Sequence, residues 1–494
     1  AMDKTGGNAS FVVSAGDQIQ TTKKKSPGKS EMTSEIEYTG YLSPDVLKSL
    51  PVATTVGNHD ADNANYTYHF NTPNSSDLGS NGIVGGDYYF TYGNTLFMML
   101  NTQDTNAAEH KQFMEQAIAA NPNCTWRVVT LHQDIYGSAE HSNEPEITNL
   151  RYTLVPYFEA NDVDVVLTGH DHAYSRTHIL EGGHKTVEYT DDEFDAELDK
   201  DMDAGENPAT RYEAPANISA DSKEPADVAY LNYLNAVMDK DAVEDTEKGE
   251  TVVNPDGILY MTANSSSGSK YYDLVPRMQS YIANRWQEDV PTYSVIDVTD
   301  NTFTINTYRT DNDQKIDETF TIKKGVTEDI KSASVGNVKN QIYTGKQIQP
   351  AIKVTLNGKT LKAGKDYTVT YTDNKNTGLA KATINGIGKY TGTQTVTFKI
   401  VPKKAVLKTV KAGKSGTATV TIGKAGGKVS GYAIQVSTDS SFKKVTTYRT
   451  AKTTYTLKNL SKGKTYYVRV KAFTKVSDKN VYGAASKTIK VKAK

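Results

Sequence analysis

The stretch VVLTGHDHAYSRT, Val165–Thr177, places two histidines one residue apart, directly after a run of apolar and β-branched residues. A short run of this kind predicts a strand that is buried on both faces. His170 and His172 therefore follow the carboxyl end of a strand, where α/β proteins collect their ligands. A His-x-His pair is a weak signal by itself. It indicates a metal site only if further ligands lie at neighbouring strand ends.

Three other apolar runs are followed by polar residues whose side chains can bind a metal ion. FVVSA precedes Asp17, PVATTV precedes Asn58 and His59, and WRVVTL precedes His132. Helix-like segments lie between these runs, which predicts an α/β layout. The four strand ends supply one carboxylate, one amide oxygen and four imidazoles. Such donors suit Mn, Fe, Zn or Mg, and the absence of thiolates disfavours a structural zinc site.

The four motifs resemble those of the calcineurin-like metallophosphoesterases, most closely the purple acid phosphatase branch. The blocks GDQ, GNHD, LH and GHDHAYSR stand in the family's order over about residues 1–325. The resemblance implies a four-layer α/β/β/α sandwich in residues 1–327 that lacks its first strand and first metal motif. It also implies hydrolysis of phosphate monoesters, or of diesters, at a dinuclear centre of Fe, Mn or Zn, with two divalent or mixed-valence ions.

The resemblance also implies a role for each site residue. Asp17 would bridge the two ions, and His59 would assist the leaving group. The other implied roles are ion binding by Asn58, His132 and His170, binding of the second ion by His172, a place near the phosphate for His141, and support from Asp60 and Arg176.

The sequence departs from this pattern at two points. Gln20 stands where the branch has an iron(III)-binding tyrosine, so a ferric ion is not assumed. The family's first Asp block is expected upstream of residue 1. We therefore expect these 494 residues to bind one ion weakly or not at all, and the parent protein to bind two. The alternative function is a surface binding or adhesion protein whose phosphatase-like domain is catalytically impaired.

The charge changes sign along the chain. Residues 331–494 hold 33 Lys/Arg and 4 Asp, a net +29, which leaves 23 basic and 54 acidic residues, a net −31, in residues 1–330. Such halves predict separate domains. Residues 188–250 carry 20 acidic and 5 basic residues and are expected to be a partly helical, solvated insertion. A calcium site there is the less favoured alternative, because no EF-hand spacing appears.

The basic half predicts two β-sandwiches, residues 332–401 and 402–494. The first resembles the Ig-like repeats of secreted Gram-positive bacterial proteins. The second resembles a fibronectin type III domain, with Leu460 six residues before Tyr466 as in that family's tyrosine corner. We expect spacer or attachment modules. Their lysines indicate a solvated surface first, contact with an anionic cell-wall polymer or glycan second, and nucleic acid last.

Cysteine and hydropathy patterns bound the remaining possibilities. The single cysteine, Cys124, excludes an internal disulfide framework. No apolar run is long enough to cross a membrane. We expect a secreted or cell-surface protein whose signal peptide lies upstream of residue 1. His69, His110, His178 and His184 lack motif context and are expected to be surface or structural residues.

Overall fold

Two packed β-sheets form the centre of the N-terminal unit, Ala1–Gly325, in this computed structural model. The structure describes residues 1–21, 30–203, 217–243, 251–268, 270–476 and 478–494. Parts of the acidic insertion, residues 204–216 and 244–250, lie outside the described residues.

The strands of this unit are, in chain order, β1 (Val12–Ser14), β2 (Val52–Thr54), β3 (Tyr88–Tyr92), β4 (Thr95–Met99), β5 (Trp126–Thr130), β6 (Val165–Thr168), β7 (Tyr174–Leu180), β8 (Thr251–Val253), β9 (Ile258–Thr262), β10 (Ile282–Trp286), β11 (Thr292–Val298), β12 (Thr302–Arg309) and β13 (Phe320–Lys323). The larger sheet has the order β10-β7-β9-β6-β5-β4-β3, and the smaller has the order β11-β12-β13-β8. β4, β5, β6 and β9 run parallel, and β1 pairs in parallel with β2. The carboxyl ends of β5 and β6 therefore lie side by side.

The helices are α1 (Ser30–Tyr41), α2 (Asn65–His69), α3 (Ala107–Ala120), α4 (Pro145–Ala160), α5 (Asp191–Asp203) and α6 (Pro225–Met238), with 3-10 turns at Met2–Thr5, Asp45–Lys48 and Lys240–Ala242. α3 and α4 cover one face of the larger sheet and bury Phe113, Leu154 and Phe158 against it. The smaller sheet covers the other face through Phe303, Ile305 and Phe320. Strands between two apolar layers have no solvent face, which explains the continuous apolar runs of β6 and β9.

The insertion has a core of its own. α5 and α6 bury Phe194, Tyr233 and Leu234 against each other, so the segment is not only a solvated excursion. Asp201 of α5 accepts hydrogen bonds from Tyr230 (3.0 Å) and from Arg277 (3.2 Å), outside the insertion. The insertion is thereby tied to the segment that precedes β10.

The second unit, Val326–Lys494, contains only strands and one 3-10 turn, Ile330–Ser332, among the residues described there. Its first group of strands is β14 (Glu328–Asp329), β15 (Ser334–Val335), β16 (Gln341–Ile342), β17 (Val354–Leu356), β18 (Lys359–Thr360), β19 (Tyr367–Thr372), β20 (Gly378–Gly386), β21 (Tyr390–Thr391) and β22 (Thr393–Val401). Its second group is β23 (Val406–Ala412), β24 (Ala418–Gly423), β25 (Gly431–Ser437), β26 (Thr446–Thr450), β27 (Thr454–Leu457), β28 (Thr465–Val476), β29 (Lys479–Tyr482) and β30 (Ile489–Lys492).

Each group encloses its own apolar core, around Val354 and Ile384 in the first and Ile434 and Val470 in the second. In the second group the Tyr466 hydroxyl accepts the N–H of Ser461 at 2.9 Å, which is the contact that the tyrosine corner predicts. In the part of the chain that the structure describes, no helix has the length and hydropathy of a membrane span.

Candidate metal centre

Glycines bring the strand ends of the N-terminal unit together. A Cβ atom on Gly57 would lie 2.0 Å from Asp17 Oδ1, and one on Gly16 would lie 2.4 Å from His132 Nδ1. A Cβ on Gly169 would lie 2.7 Å from the carbonyl oxygen of Ala15. Each of these glycines directly precedes a motif residue. Because a Cβ atom would clash at these distances, only a residue without a side chain permits the approach.

Two motif residues have strained backbone. Asp17 has φ 54° and His170 has φ 69°, both in the left-handed region that non-glycine residues seldom adopt. Strain of this kind persists where the surroundings fix it, and it concentrates at functional sites. Here it turns each side chain away from its strand and toward the same point.

That point lies beside Nε2 of His132. Asn58 Oδ1 lies 3.0 Å from this atom, His170 Nδ1 3.1 Å and Asp17 Oδ2 3.3 Å. Among the described residues, Asp17, His132 and His170 form the one group of three His, Cys, Asp or Glu side chains close enough together to hold an ion. The structure therefore brings together four of the predicted ligands.

The hydrogen bonding of His132 shows why a cation fits there. Its Nδ1 lies 2.8 Å from the carbonyl oxygen of Ala15, which can only accept, so Nδ1 carries a proton. In the neutral ring, Nε2 is then a lone pair that faces the lone pairs of Asn58 and Asp17. A proton on Nε2 could serve only one of these neighbours, whereas one metal ion serves all four donors. The donor set, carboxylate, amide oxygen and imidazole, fits such an ion.

The surroundings set the charge of the cluster. Burial raises the pKa of Asp17, but the charge and hydrogen bond of His132 and the charge of His59 outweigh it and hold that pKa well below its usual range. Burial, together with the charges of His132 and His141, lowers the pKa of His170 to about 3. Asp17 is thus an anion and His170 a neutral imidazole at neutral pH. Burial lowers the pKa of His132, but the charge and hydrogen bond of Asp17 outweigh it and raise that pKa, so an ion that binds at Nε2 displaces a proton.

His59 lies at the edge of this cluster. Its Nδ1 lies 2.7 Å from the carbonyl oxygen of Gln20, and its Nε2 lies 4.0 Å from Asp17 Oδ2. Gln20 thus contributes its backbone, while its side chain is exposed. Asp60 is fully buried and accepts the N–H of Gly57 (3.0 Å) and the Tyr38 hydroxyl (2.9 Å), so it shapes the turn that presents Asn58 and His59.

His141 reaches the cluster from the loop after β5. Its ring centre lies 4.7 Å from that of His170, and its Nδ1 lies 2.7 Å from Glu144 Oε1. Burial lowers the pKa of His141, but the hydrogen bond to Glu144 and the charge of Asp171 outweigh it, so that pKa is raised. The loop that carries His141 rests on Asp171, a residue to which the sequence assigned no role.

His172 stands beside the cluster. Its Nδ1 donates to the carbonyl oxygen of Lys270 at 2.8 Å, which leaves Nε2 as a lone pair. Burial lowers the pKa of His172, so the ring is neutral at neutral pH. Tyr272 lies between this ring and that of His141, with centre distances of 4.7 and 4.8 Å. The Lys270 ammonium lies 4.3 Å from the centre of the Tyr272 ring.

The end of the GHDHAYSR motif contacts the smaller sheet. Arg176 donates to Asp317 through Nε (2.6 Å) and Nη2 (3.2 Å), and the Tyr174 hydroxyl donates to the same carboxylate at 2.9 Å. Arg176 and Asp317 are both buried. Both side-chain hydrogen bonds of Arg176 go to Asp317, so its support for the site acts through the packing of the two sheets.

The other histidines have structural partners. His110 is buried and lies 2.7 Å from a carboxylate oxygen of Asp87 and 2.9 Å from the carbonyl oxygen of Asp104. His69 stacks on Tyr38, with ring centres 5.0 Å apart, and lies 2.9 Å from Glu35. Neither forms part of the cluster.

Sequence reasoning missed four residues around the cluster: Asp134, Asp171, Lys270 and Tyr272. Asp171 lies inside the His-x-His motif and Asp134 lies two residues after His132, so position alone could have marked them. Lys270 and Tyr272 are about a hundred residues further on, and no motif connects them to the site.

Comparison with known proteins defines the class of each part. Residues 3–174 match the family model of the calcineurin-like phosphoesterases, and residues 407–488 match that of the fibronectin type III domain. The chain therefore contains a calcineurin-like phosphoesterase domain followed by β-rich, fibronectin-like structure, which confirms the predicted family and fold class. The phosphoesterase match includes Asp17, Asn58, His132, His170 and His172.

Individual relatives are distant. Uncharacterized proteins of two Mycobacterium tuberculosis strains are each 26% identical over 156 residues, 27% of this chain and 29% of the relative. The chain thus spans less than a third of the length of these curated relatives. A purple acid phosphatase from yellow lupin seeds superposes with a TM-score of 0.39 and 15% identity over 65% of this chain and 48% of that chain. An Fn3-like protein from Clostridium thermocellum superposes with a TM-score of 0.16 and 25% sequence identity. The superposition covers 19% of this chain and 91% of that chain.

Proposed function

We propose that the N-terminal unit hydrolyses phosphate monoesters, with diesters as the next substrate class, at a dinuclear metal centre. The observation that carries the proposal is the convergence of Asp17, Asn58 and His170 on the Nε2 atom of His132. Asp17 Oδ2, Asn58 Oδ1, His132 Nε2 and His170 Nδ1 can all accept hydrogen bonds, and there are too few protons between them to satisfy each one. Burying such unsatisfied acceptors costs free energy. A cation between them removes that cost.

The first ion would be held by Asp17, Asn58, His132 and His170. The family resemblance assigns His172, together with Asp17, to the second ion, and the contact of His172 Nδ1 with Lys270 leaves Nε2 as the atom that would bind it. When bound, such ions would polarise the phosphoryl group and acidify a water molecule. The candidate ions are Fe, Mn and Zn, and an assay with each metal added separately distinguishes them.

The chain's own residues would handle the leaving group. Gln20 fixes Nδ1 of His59 as the N–H that donates to its carbonyl oxygen, so Nε2 is the atom that can carry a proton to the leaving oxygen. His141 is fixed in the same way by Glu144, with its ring against His170. The two imidazoles would hold the ester oxygens from two sides of the cluster.

An assay of p-nitrophenyl phosphate with Mn, Zn or Fe added separately tests the proposal. The His59→Ala variant should lower kcat by about a hundredfold or more, because general acid catalysis contributes that much. Its metal content should not change. His184→Ala, at an exposed histidine whose Nδ1 lies 2.7 Å from the carbonyl oxygen of Gly182, is the matched control and should keep full activity.

Two results would reject this assignment. Turnover that survives His59→Ala would remove the proton-donor role. A parent protein that binds none of the metals and hydrolyses no phosphate ester would favour the alternative, a catalytically impaired binding protein.

We also propose that the protein is secreted or attached to the cell surface. The support is the fibronectin type III match together with the resemblance of residues 332–401 to Ig-like repeats of secreted proteins. An anionic wall polymer or glycan is the proposed partner of the basic unit, through electrostatic attraction. A cell-wall pulldown at increasing salt tests this, and no binding at low salt would reject it.

A further inference from the structure

The carboxylate between the two motif histidines organises the loop that carries His141. Asp171 is buried, with an exposed fraction of 1%. Its Oδ1 accepts the N–H of His141 at 3.0 Å, and its Oδ2 accepts the N–H groups of Ala139 (3.1 Å) and Ser142 (3.2 Å). The Ser142 hydroxyl adds a fourth contact at 2.5 Å. This buried carboxylate therefore accepts hydrogen bonds from three amides and one hydroxyl of a single four-residue loop segment.

A second carboxyl group completes this network. Asp134 is fully buried, and its Oδ2 lies 2.6 Å from the Ser142 hydroxyl. A Cβ on Gly137 would lie 2.0 Å from this oxygen, so the turn after His132 closes tightly around it. The Ser142 hydroxyl therefore joins the two carboxyl groups.

The same loop is fixed on its other side. Ala139 forms a β-bridge with Leu274, and the N–H of Val275 donates to the carbonyl oxygen of Ser138 at 3.1 Å. These contacts hold the start of the loop. They do not involve the backbone of His141 itself, whose amide donates to Asp171.

We propose that Asp171 is a positioning residue: its carboxylate holds the 139–142 loop so that the His141 imidazole stays beside His170. The Asp171 carboxylate holds His141 through the backbone amide of that residue, and its charge also acts on the His141 ring. A catalytic role for His141 rests on the proposed function. The hydrogen bonding of residues 139–142 by Asp171, which we call the clamp, can be measured without turnover.

Asp171→Asn tests the clamp directly. The amide keeps the size of the side chain but replaces one acceptor oxygen by a donor and removes the charge. Hydrogen bonds to a charged group are stronger than neutral ones, so the His141 amide should exchange about tenfold faster or more. The amides of Ala139 and Ser142 also donate within the loop and should change less. Hydrogen-exchange mass spectrometry of peptides within residues 134–144 measures this. Peptides from α3 should not change. Unchanged exchange at residues 139–142 would overturn the proposal.

A double-mutant cycle with His141→Ala links the clamp to turnover. If Asp171 acts through His141, Asp171→Asn should lower kcat toward the His141→Ala level. The double variant should then be no slower than His141→Ala alone. Multiplying effects would show that Asp171 acts independently of His141 and would overturn the proposal. If the wild-type protein lacks phosphoesterase activity, the proposed function fails while the exchange experiment still decides the clamp.

Two further variants control for unfolding. Asp87→Asn removes another buried carboxylate of the same unit, one that contacts His110 and the Asn101 amide, and it should change neither exchange at residues 139–142 nor kcat. Ser142→Ala removes the contacts of the hydroxyl with Asp171, Asp134 and the Ala139 amide, and it should speed exchange of the His141 amide less than Asp171→Asn does. If Asp171→Asn does not fold, faster exchange of the His141 amide in Ser142→Ala supports the proposal and unchanged exchange contradicts it.

Discussion

The two units of the chain differ in how many charged side chains they bury. The N-terminal unit buries Asp134, Asp171 and His132 to an exposure of 1% or less and lets their polar atoms converge. The second unit carries a net +29 over residues 331–494, yet Asp366 is the one charged residue that it buries within the part described. Asp366 accepts the N–H of Lys362 at 2.6 Å and so closes a turn.

This contrast separates a site from a surface. Burying polar groups costs free energy unless each finds a partner, so convergent buried donors are retained where they do chemistry. Exposed lysines cost little and contribute little to stability. The following predictions test whether the two units differ as strongly in their response to substitution.

The largest effect is expected at Asp17. Asparagine also tolerates the left-handed backbone of this position, so Asp17→Asn should fold. It removes the anionic ligand of the cluster, and metal affinity and kcat/KM should each fall by about a hundredfold or more. Metal analysis measures the affinity, and the assay with p-nitrophenyl phosphate measures kcat/KM. Asp162→Asn, at an exposed aspartate that is also left-handed, is the matched control and should change neither.

The next effect concerns stability. Arg176→Met would leave the Asp317 carboxylate buried without its cation, and breaking such a pair costs about 3–5 kcal/mol of the free energy of unfolding. Denaturant unfolding of the N-terminal unit measures this. The Arg176→Met/Asp317→Asn double variant should recover part of the loss. A double variant as unstable as the sum of the single changes would show that the two residues do not act as a pair.

The same pair predicts a pH dependence. Burial raises the pKa of Asp317, but the hydrogen bonds and charge of Arg176 outweigh it, so the pKa in the folded protein lies below its usual value of 3.8. The pair's contribution is therefore complete above pH 4 or so and is lost as the pH falls through the lower, folded pKa. Asp317→Asn should flatten this part of the stability curve. An identical acid slope in both proteins would contradict the assignment.

The sequence predicted the strand ends well because the apolar runs of β5 and β6 and the residues that follow them are contiguous. It could not predict that Arg176 binds Asp317, because the partner is on another sheet. Nor could it identify Tyr272 and Lys270, which reach the cluster only through the path of the chain before β10. It treated residues 188–250 as solvated, since a segment with 20 acidic residues shows few apolar positions until α6. Local patterns thus predicted residues that converge at Nε2 of His132, and tertiary packing determined what surrounds them.

A smaller effect is expected at Lys270. Its ammonium is exposed beside Tyr272 and influences the His172 ring, and no ion pair involves it within the described residues. In an acidic unit, a cation at the site would favour the approach of an anionic ester. Lys270→Met should raise KM a few-fold, leave kcat nearly unchanged, and weaken the dependence of kcat/KM on salt. Lys48→Met, another exposed lysine of this unit, should leave all three unchanged.

The smallest effect is expected in the basic unit. Lys399 lies on β22 between the buried side chains of Phe398 and Ile400, so it faces solvent. Lys399→Gln should change the free energy of unfolding of this unit by less than about 0.5 kcal/mol. Phe398→Ala, one residue away, should cost about 3–5 kcal/mol. Urea unfolding of the full chain, followed through the transition of residues 326–494, compares them. A loss of more than 1 kcal/mol for Lys399→Gln would contradict the contrast between the two units, because that lysine would then belong to an interaction and not to a solvated surface.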